Sequence, residues 1–353
     1  MTFSGRRRVT GGGGGTRGGG AGRDTNRILA DVEAEYTADY DEAADKSREA
    51  VEAYLAGNPR NPFADRKWRK ARRTIALILY AANAAATGRV NDVLPEAFAD
   101  GATLTAFTLN GQIRGGGGGT RGGGAGRYSH SRSVPEDETK KKLLPYTKDV
   151  VLALIAAGLI TVTLRELNRR KDIAWNEKRL QAIANAEIIS GTAADDLPDA
   201  IARKAADGAK KAMDTAAQAR IYGACDSGAY QAGLDAEALG LDIDKTWLGI
   251  PDARIRPSHR HLNGQTRPIH TAFMSFHGAI RYPHDPKAHP AETMRCRCAL
   301  AIHLHGHRPW RATRMLAPSQ VRAYLRWRRE IIAELGGEVA LAEAHRRRHN
   351  ASV

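Results

Sequence analysis

Hydrophobic positions from residue 24 to about 56 recur at helical spacing. Ile28, Val32, Tyr36, Tyr40, Ala43, Ser47, Val51 and Leu55 follow a period near 3.6 and predict one amphipathic helix. Asp24 or Thr25 is its expected N-cap, and Gly57-Asn58-Pro59 its stop. A second helix is predicted over 63–87, basic in its first half, apolar from Ile75 to Ala86, and closed by Gly88. A short third helix over Asn91 to Phe98 follows. Thr103 to Leu109 is rich in β-branched residues and has strand composition.

Farther on, residues 149–165 are apolar, and Trp175 to Ser190 is predicted as a helix. Two alanine-rich helices are expected over Leu197 to Gly208 and Ala209 to Leu234. Helical periodicity ends at Gly240 and returns from Trp310 to Arg348. The longest apolar run, Val150 to Leu164, is shorter than the roughly 20 residues of a spanning helix. It is read as a buried element, and no membrane partner is expected.

Two glycine tracts change the picture of domains. GGGGGTRGGGAGR fills residues 11–23 and recurs unchanged at 115–127. Glycine loses the most entropy on ordering, so both tracts are expected to act as tethers. The fold class predicted is α+β, with mostly α-helical N-terminal and middle regions. The divisions are a Gly/Arg-rich tail (1–23), a helical region (24–110), a Gly/Arg-rich linker (111–133), an alanine-rich helical region (134–240), a small α+β domain (241–305) and a basic helical tail (306–353).

The charge of the 353-residue chain is +15, which points to a polyanionic neighbour. Candidate phosphate contacts are Arg66, Lys67, Arg69, Lys70, Arg72 and Arg73 in the second helix. Arg322, Arg326, Arg328 and Arg329 are candidates near the C-terminus. Three cysteines in so long a chain do not make a disulfide framework, and a reducing compartment fits. No apolar signal segment follows Met1.

The unusual chemistry lies between Asp252 and Cys298. Nine of twelve histidines fall from His259 to His307, together with Cys296 and Cys298. Arg254 and Arg256 would share one face of a strand with Asp252, which could pair with either. Leu262-Asn263-Gly264 is expected to turn tightly, with Gly264 at positive φ. Pro283-His284-Asp285-Pro286 predicts a rigid loop. Cys296 and Cys298 with His259 or His284 offer zinc ligands, although one Cys-x-Cys fits no standard finger. The bland alternative is a buried polar network of His259, Asp285 and the arginines, with both cysteines half-buried on a strand. A metal-dependent nuclease would use His259 as base and Asp252 or Asp285 as ligands. His303-Leu-His305-Gly-His307 alternates as a strand with imidazoles on one face.

The order Trp247, Asp252-Ala-Arg254-Ile-Arg256-Pro-Ser-His259, Leu262-Asn263-Gly264, Phe273, Tyr282-Pro283-His284-Asp285-Pro286 and Cys296-Arg297-Cys298 resembles the head-morphogenesis domain of tailed bacteriophages. That family is named for the Mu F protein and includes siphophage minor capsid proteins. Asp172-Ile-Ala-Trp175-Asn176 is similar to the Trp-Asn motif of their helical region, and Asn91-Asp-Val-Leu-Pro95 resembles part of their N-terminal half. Three positions depart from the pattern: Asn263 for a usual Asp, His284 for a usual Gly, and Arg295 for a common Asn. The resemblance implies a minor head protein that binds the portal and capsid or scaffold proteins; the basic helices would lie near packaged double-stranded DNA and contact it without sequence preference. It would carry no catalytic residue and no required cofactor, zinc being the one candidate. It would reside inside the head and, during assembly, in the host cytoplasm.

Overall fold

Three long helices, α1 (Ala21–Leu55), α2 (Arg66–Ile113) and α5 (Leu197–Ala238), pack along one another in this computed structural model. The structure describes residues 21–57, 63–113, 142–162, 166–250, 252–307 and 318–351. The glycine tract at 115–127, most of the tract at 11–23, and Trp310 to Ala317 lie outside them. Arg89 pairs with Asp39 and Thr25 donates to Asp100, so α1 and α2 are antiparallel. Tyr36 donates to Asp214 and Tyr222 to Asn26, so α1 is antiparallel to α5 as well. The two longest helices therefore run the same way. At about 1.5 Å per residue α2 extends roughly 70 Å.

Where α2 meets α5 the backbones touch. A Cβ on Gly101 would lie 1.9 Å from the Cys225 carbonyl oxygen, and one on Gly228 would lie 2.0 Å from that of Phe98. Each glycine therefore admits the opposite backbone. Around this crossing Ala97, Ala102, Ala229 and Ala232 are buried, so small residues set the helix spacing.

Several sequence expectations need correction. Thr103 to Leu109 is helical, and Asn91 to Phe98 is no separate element; both belong to α2, which continues through Gly88 and Pro95. The reason is tertiary. Thr103, Leu104, Thr105 and Leu109 are buried by packing, which overrides their strand preference. Asp24 and Thr25 lie inside α1, so neither caps it. Ala21 to Arg23 and Gly111 to Ile113, assigned to flexible segments, are helical too. Gly208 does not divide the alanine-rich region, because α5 passes through it.

Two short elements complete the helical part. α3 (Lys148–Ala156) is capped by the Thr147 side chain, which accepts from the Val150 amide, and α4 (Arg169–Ile189) by Asn168, which accepts from Lys171. The extended segment before α3 is tied to α2 by side chains. Asn110 exchanges two hydrogen bonds with the Leu143 backbone, and Thr103 does the same with Tyr146.

After Gly240 the chain forms β1 (Ile243–Leu248), α6 (Pro257–Leu262), β2 (Thr266–Pro268), the hairpin β3 (Phe273–Ser275) and β4 (Gly278–Ile280), α7 (Pro290–Thr293) and β5 (Ala299–Leu304). β1 lies centrally and antiparallel to both β2 and β5, with Trp247 opposite Leu300 and Asp244 opposite His303. The sheet rests on α5, where Gly233 lies under Ile269 and Ile302, and on the end of α2, where Gln112 accepts from the Leu304 amide. The C-terminal helix predicted over 310–348 is two helices, α8 (Pro318–Leu335) and α9 (Glu338–Ala351). Gly336 and Gly337 separate them at φ of 87° and 110°.

The glycines give substitutions of opposite sign. Gly101→Ala or Gly228→Ala must push backbones apart, and each is expected to destabilise the fold by about 1–3 kcal/mol or more. Gly88→Ala and Gly111→Ala, where a Cβ meets nothing within 4 Å, should stabilise α2 by about 0.5–1 kcal/mol. Urea denaturation of the four variants measures this; equal effects in both pairs would contradict the close crossing.

Candidate functional site

At the centre of the window between Asp252 and Cys298 lies the buried imidazole of His259. Pro257 starts α6, as its fixed φ favours at a helix N-terminus, and the following turn directs Ser258 and His259 inward. His259 is 1% exposed. Its Nδ1 lies 3.5 Å from Cys296 Sγ and 3.4 Å from Cys298 Sγ, and its Nε2 lies 2.9 Å from Glu292 Oε2. Trp247 stands edge-on to the imidazole and to Phe273, forming an aromatic wall.

Glu292 sits on α7 and is fully buried. Ser258 Oγ donates to Oε2 at 2.8 Å, and His277 Nδ1 meets Oε1 at 2.7 Å. Burial pushes its carboxyl up, but hydrogen bonds from His277 and Ser258, with His259 alongside, win and hold it at about 2. The two thiols are a coupled pair. A hydrogen bond from Cys296, with His259 adding to it, draws Cys298 down to about 5, while burial pushes Cys296 up.

The rest of the motif frames this cluster. Arg256 donates to the carbonyls of Ala291 and Met294, joining α6 to the end of α7. Arg297 forms a two-point fork with Asp252 at 2.8 and 2.7 Å, which turns the residue between the cysteines outward. Its guanidinium holds Asp252 down at about 2. Arg281 forks onto Asp285 in the same way and lies over the Tyr282 ring. Gly264 takes φ of 82° as expected, and Asn263 Oδ1 accepts from the Gly249 amide to close that turn. The loop Pro283 to Pro286 is a turn, with the Asp285 amide bonded to the Tyr282 carbonyl.

Four expectations about this window change. His284 is not a ligand beside the cysteines. Its Nδ1 is 2.9 Å from Asp226 of α5 and its Nε2 is 2.9 Å from the Cys296 carbonyl. Cys296 and Cys298 are buried and precede β5, so they are neither half-buried nor on a strand. Arg254 and Arg256 lie in a turn and a helix cap, and Asp252 reaches Arg254 and Arg297 but is not paired with Arg256. The polar network is double, because Asp285 belongs with Arg281 and His259 with Glu292. The histidine strand is partly as read: His303 meets Thr246 and His305 meets Asp244 on one face of β1, but β5 ends at Leu304. Glu292, Ser258, His277 and Asp226 were missed. No sequence signal marked Glu292, and the one signal for Asp226 was a carboxylate on the small-residue face of α5.

Thiol, imidazole and carboxylate in a row is also the arrangement of a cysteine nucleophile with its base. Here every member is sealed, with exposures of 2% for Cys296, 3% for Cys298 and 1% for His259 and Glu292. A cleft of about 590 Å³ lies between α5 and the Tyr282 to Pro286 turn. Thr293 and Met294 line it, but none of the cluster does. Asp252 and Asp285, the carboxylates a nuclease would use, are both committed to arginines.

The basic candidates fall into two groups. Arg66, Lys67, Arg69, Lys70 and Arg73 are exposed at the start of α2, while Arg72 is half-buried and donates to Gln181. Arg326 and Arg329 are exposed on α8 and Arg328 is half-buried; the Arg322 side chain lies outside the described residues. Trp327 of α8 packs on Phe107, a point on α2 about 50 Å along the axis from Arg73. They are two patches, not one. No family model, curated protein or solved structure matches this chain. Among the described residues no helix is long and apolar enough to cross a membrane.

Lys245, at the centre of β1, is 0% exposed. Its Nζ finds no hydrogen-bond partner and sits 4.9 Å from the Tyr230 ring and 5.4 Å from that of Phe273. Burial, with Arg281 adding repulsion and Asp285 opposing it, lowers its pKa from 10.5 to about 8. The folded chain then binds fewer protons than the unfolded one between that value and about 10.4, so Lys245 makes stability rise with pH across this window. Lys245→Met should remove the rise and stabilise the chain at pH 7 by about 1–3 kcal/mol. Urea melts from neutral to alkaline pH measure both effects; a Met variant that is less stable at pH 7 would contradict a strained buried ammonium.

Proposed function

We propose that this chain is a minor head protein of a tailed bacteriophage or prophage. It acts in procapsid assembly by binding the portal and capsid or scaffold proteins, and its work is binding and not turnover. The observation that carries the reading is backbone geometry at the two positions where the chain departs most from the motif. His284 has φ of 61° and Arg295 has φ of 53°, the left-handed region. Gly and Asn, the family's usual residues there, are the ones that enter that region most readily. The departures therefore change side chains on turns whose shape still suits the family's residues. Gly264 fits in the same way.

The motif residues also share one module after Gly240, with their charged groups locked in pairs that fix turns. The sealed cluster supports a role in binding over one in chemistry. Partner surface is on offer elsewhere: Trp175 is 50% and Ile189 86% exposed on α4, about four turns apart. The separated basic patches suit non-specific phosphate contact at two points, which positions a protein without reading bases. On this reading the protein resides inside the head, and in the host cytoplasm during assembly.

The test is deletion of the gene in the phage or lysogen that carries it, with mass spectrometry of purified procapsids. The expected outcome is a few copies per portal in wild-type procapsids and a loss of infectious particles on deletion. Intact infectivity, together with absence of the chain from procapsids, would overturn the reading.

A further inference from the structure

We infer that His259, Cys296 and Cys298 bind one zinc ion and that this ion ties α6 to the segment leading into β5. The inference stands on the buried cluster alone and does not depend on the assembly reading. The ligand atoms of the three residues all lie within 4.8 Å of one another, and each residue is buried. Tetrahedral zinc with Zn–S near 2.3 Å and Zn–N near 2.0 Å places sulfur and nitrogen about 3.5 Å apart. The two sulfur-to-Nδ1 distances, 3.5 and 3.4 Å, match that spacing. Two thiolates and an imidazole form a soft donor set that selects zinc over magnesium or calcium.

The surroundings provide what such a site needs beyond its ligands. Glu292 Oε2 lies 2.9 Å from Nε2 of His259, the nitrogen turned away from the sulfurs, at ion-pair distance but without hydrogen-bond geometry; it places a carboxylate behind the imidazole, as metal-bound histidines commonly have. The Cys298 amide points at Cys296 Sγ at 3.4 Å. His284 holds the Cys296 carbonyl, and Asp252 holds Arg297 away from the sulfurs. These contacts present both sulfurs to one nitrogen. Nearby carboxylates do not add a protein ligand: Asp226 is committed to His284 and to the Leu300 amide, and Asp252 to Arg297. Among the described residues these three are the protein ligands, which leaves one coordination position that they do not fill. Zinc would bridge α6 to the segment leading into β5, closing a long loop that β2, the hairpin and α7 only partly bind. Ligand thiols lose their protons on binding, so the ion also neutralises charge that a dry interior would otherwise not hold.

The test uses the full chain, purified without a metal-affinity column. Elemental analysis should find about one zinc per chain, and X-ray absorption should show sulfur near 2.3 Å and nitrogen near 2.0 Å. Replacing zinc with cobalt should give a thiolate-to-cobalt charge-transfer band. Cys298→Ser and His259→Gln should weaken binding about ten-fold or more, whereas Cys225→Ser, a buried cysteine outside the cluster, should retain it. If the first two variants fail to fold, cobalt titration of the stripped wild-type chain decides alone. Zinc held only by nitrogen and oxygen, absence of the cobalt band, or a Cys296 to Cys298 disulfide in the fresh protein would each overturn the inference.

Discussion

The close approach of α2 and α5 at Gly101 and Gly228 is the constraint on which the rest of the structure depends. Two residues before Gly228, on the same helix, Asp226 leaves the bundle and takes hold of the C-terminal module. One oxygen meets His284 and the other accepts from the Leu300 amide. His284 in turn holds the carbonyl of Cys296. The spacing of two long helices is thus passed through one carboxylate to the turn that carries the cysteines. A bulkier residue at the crossing would move α5 and with it the anchor of that turn.

Periodic segments were legible in the sequence. The spacing of Ile28, Val32, Tyr36 and Tyr40 needed only local physics, and all four side chains are buried as their helical face requires. The turn at Gly264 was legible for the same reason, because a short motif dictates its own φ. Thr103 to Leu109 was not, since its preference for strand is overruled by neighbours distant in sequence. The divisions placed at Gly88 and Gly208 failed because each glycine costs a helix far less than the packing on either side returns.

The site was half legible. The cysteines and His259 were recognisable as a possible donor group from residue type, and the fold brings them together. His284 was equally plausible by type, yet its ring is turned toward Asp226, which precedes it by 58 residues. Glu292 was invisible because one acid among many gives no pattern; only burial on α7 against His259 distinguishes it. The positive φ at His284 and Arg295 could not be read from those residues themselves, since neither type announces a left-handed backbone.

The central physical claim is that bundle and module are one cooperative unit, linked through Asp226. Native-state hydrogen exchange measures it most directly, because each amide reports the free energy of the opening that exposes it. The account predicts that the amides of α5 around Gly228 and those of β5 from Leu300 to Leu304 exchange through the same opening, with equal free energies and equal sensitivity to denaturant. If β5 opens at markedly lower free energy while α5 stays protected, the module folds and unfolds alone and the account is contradicted.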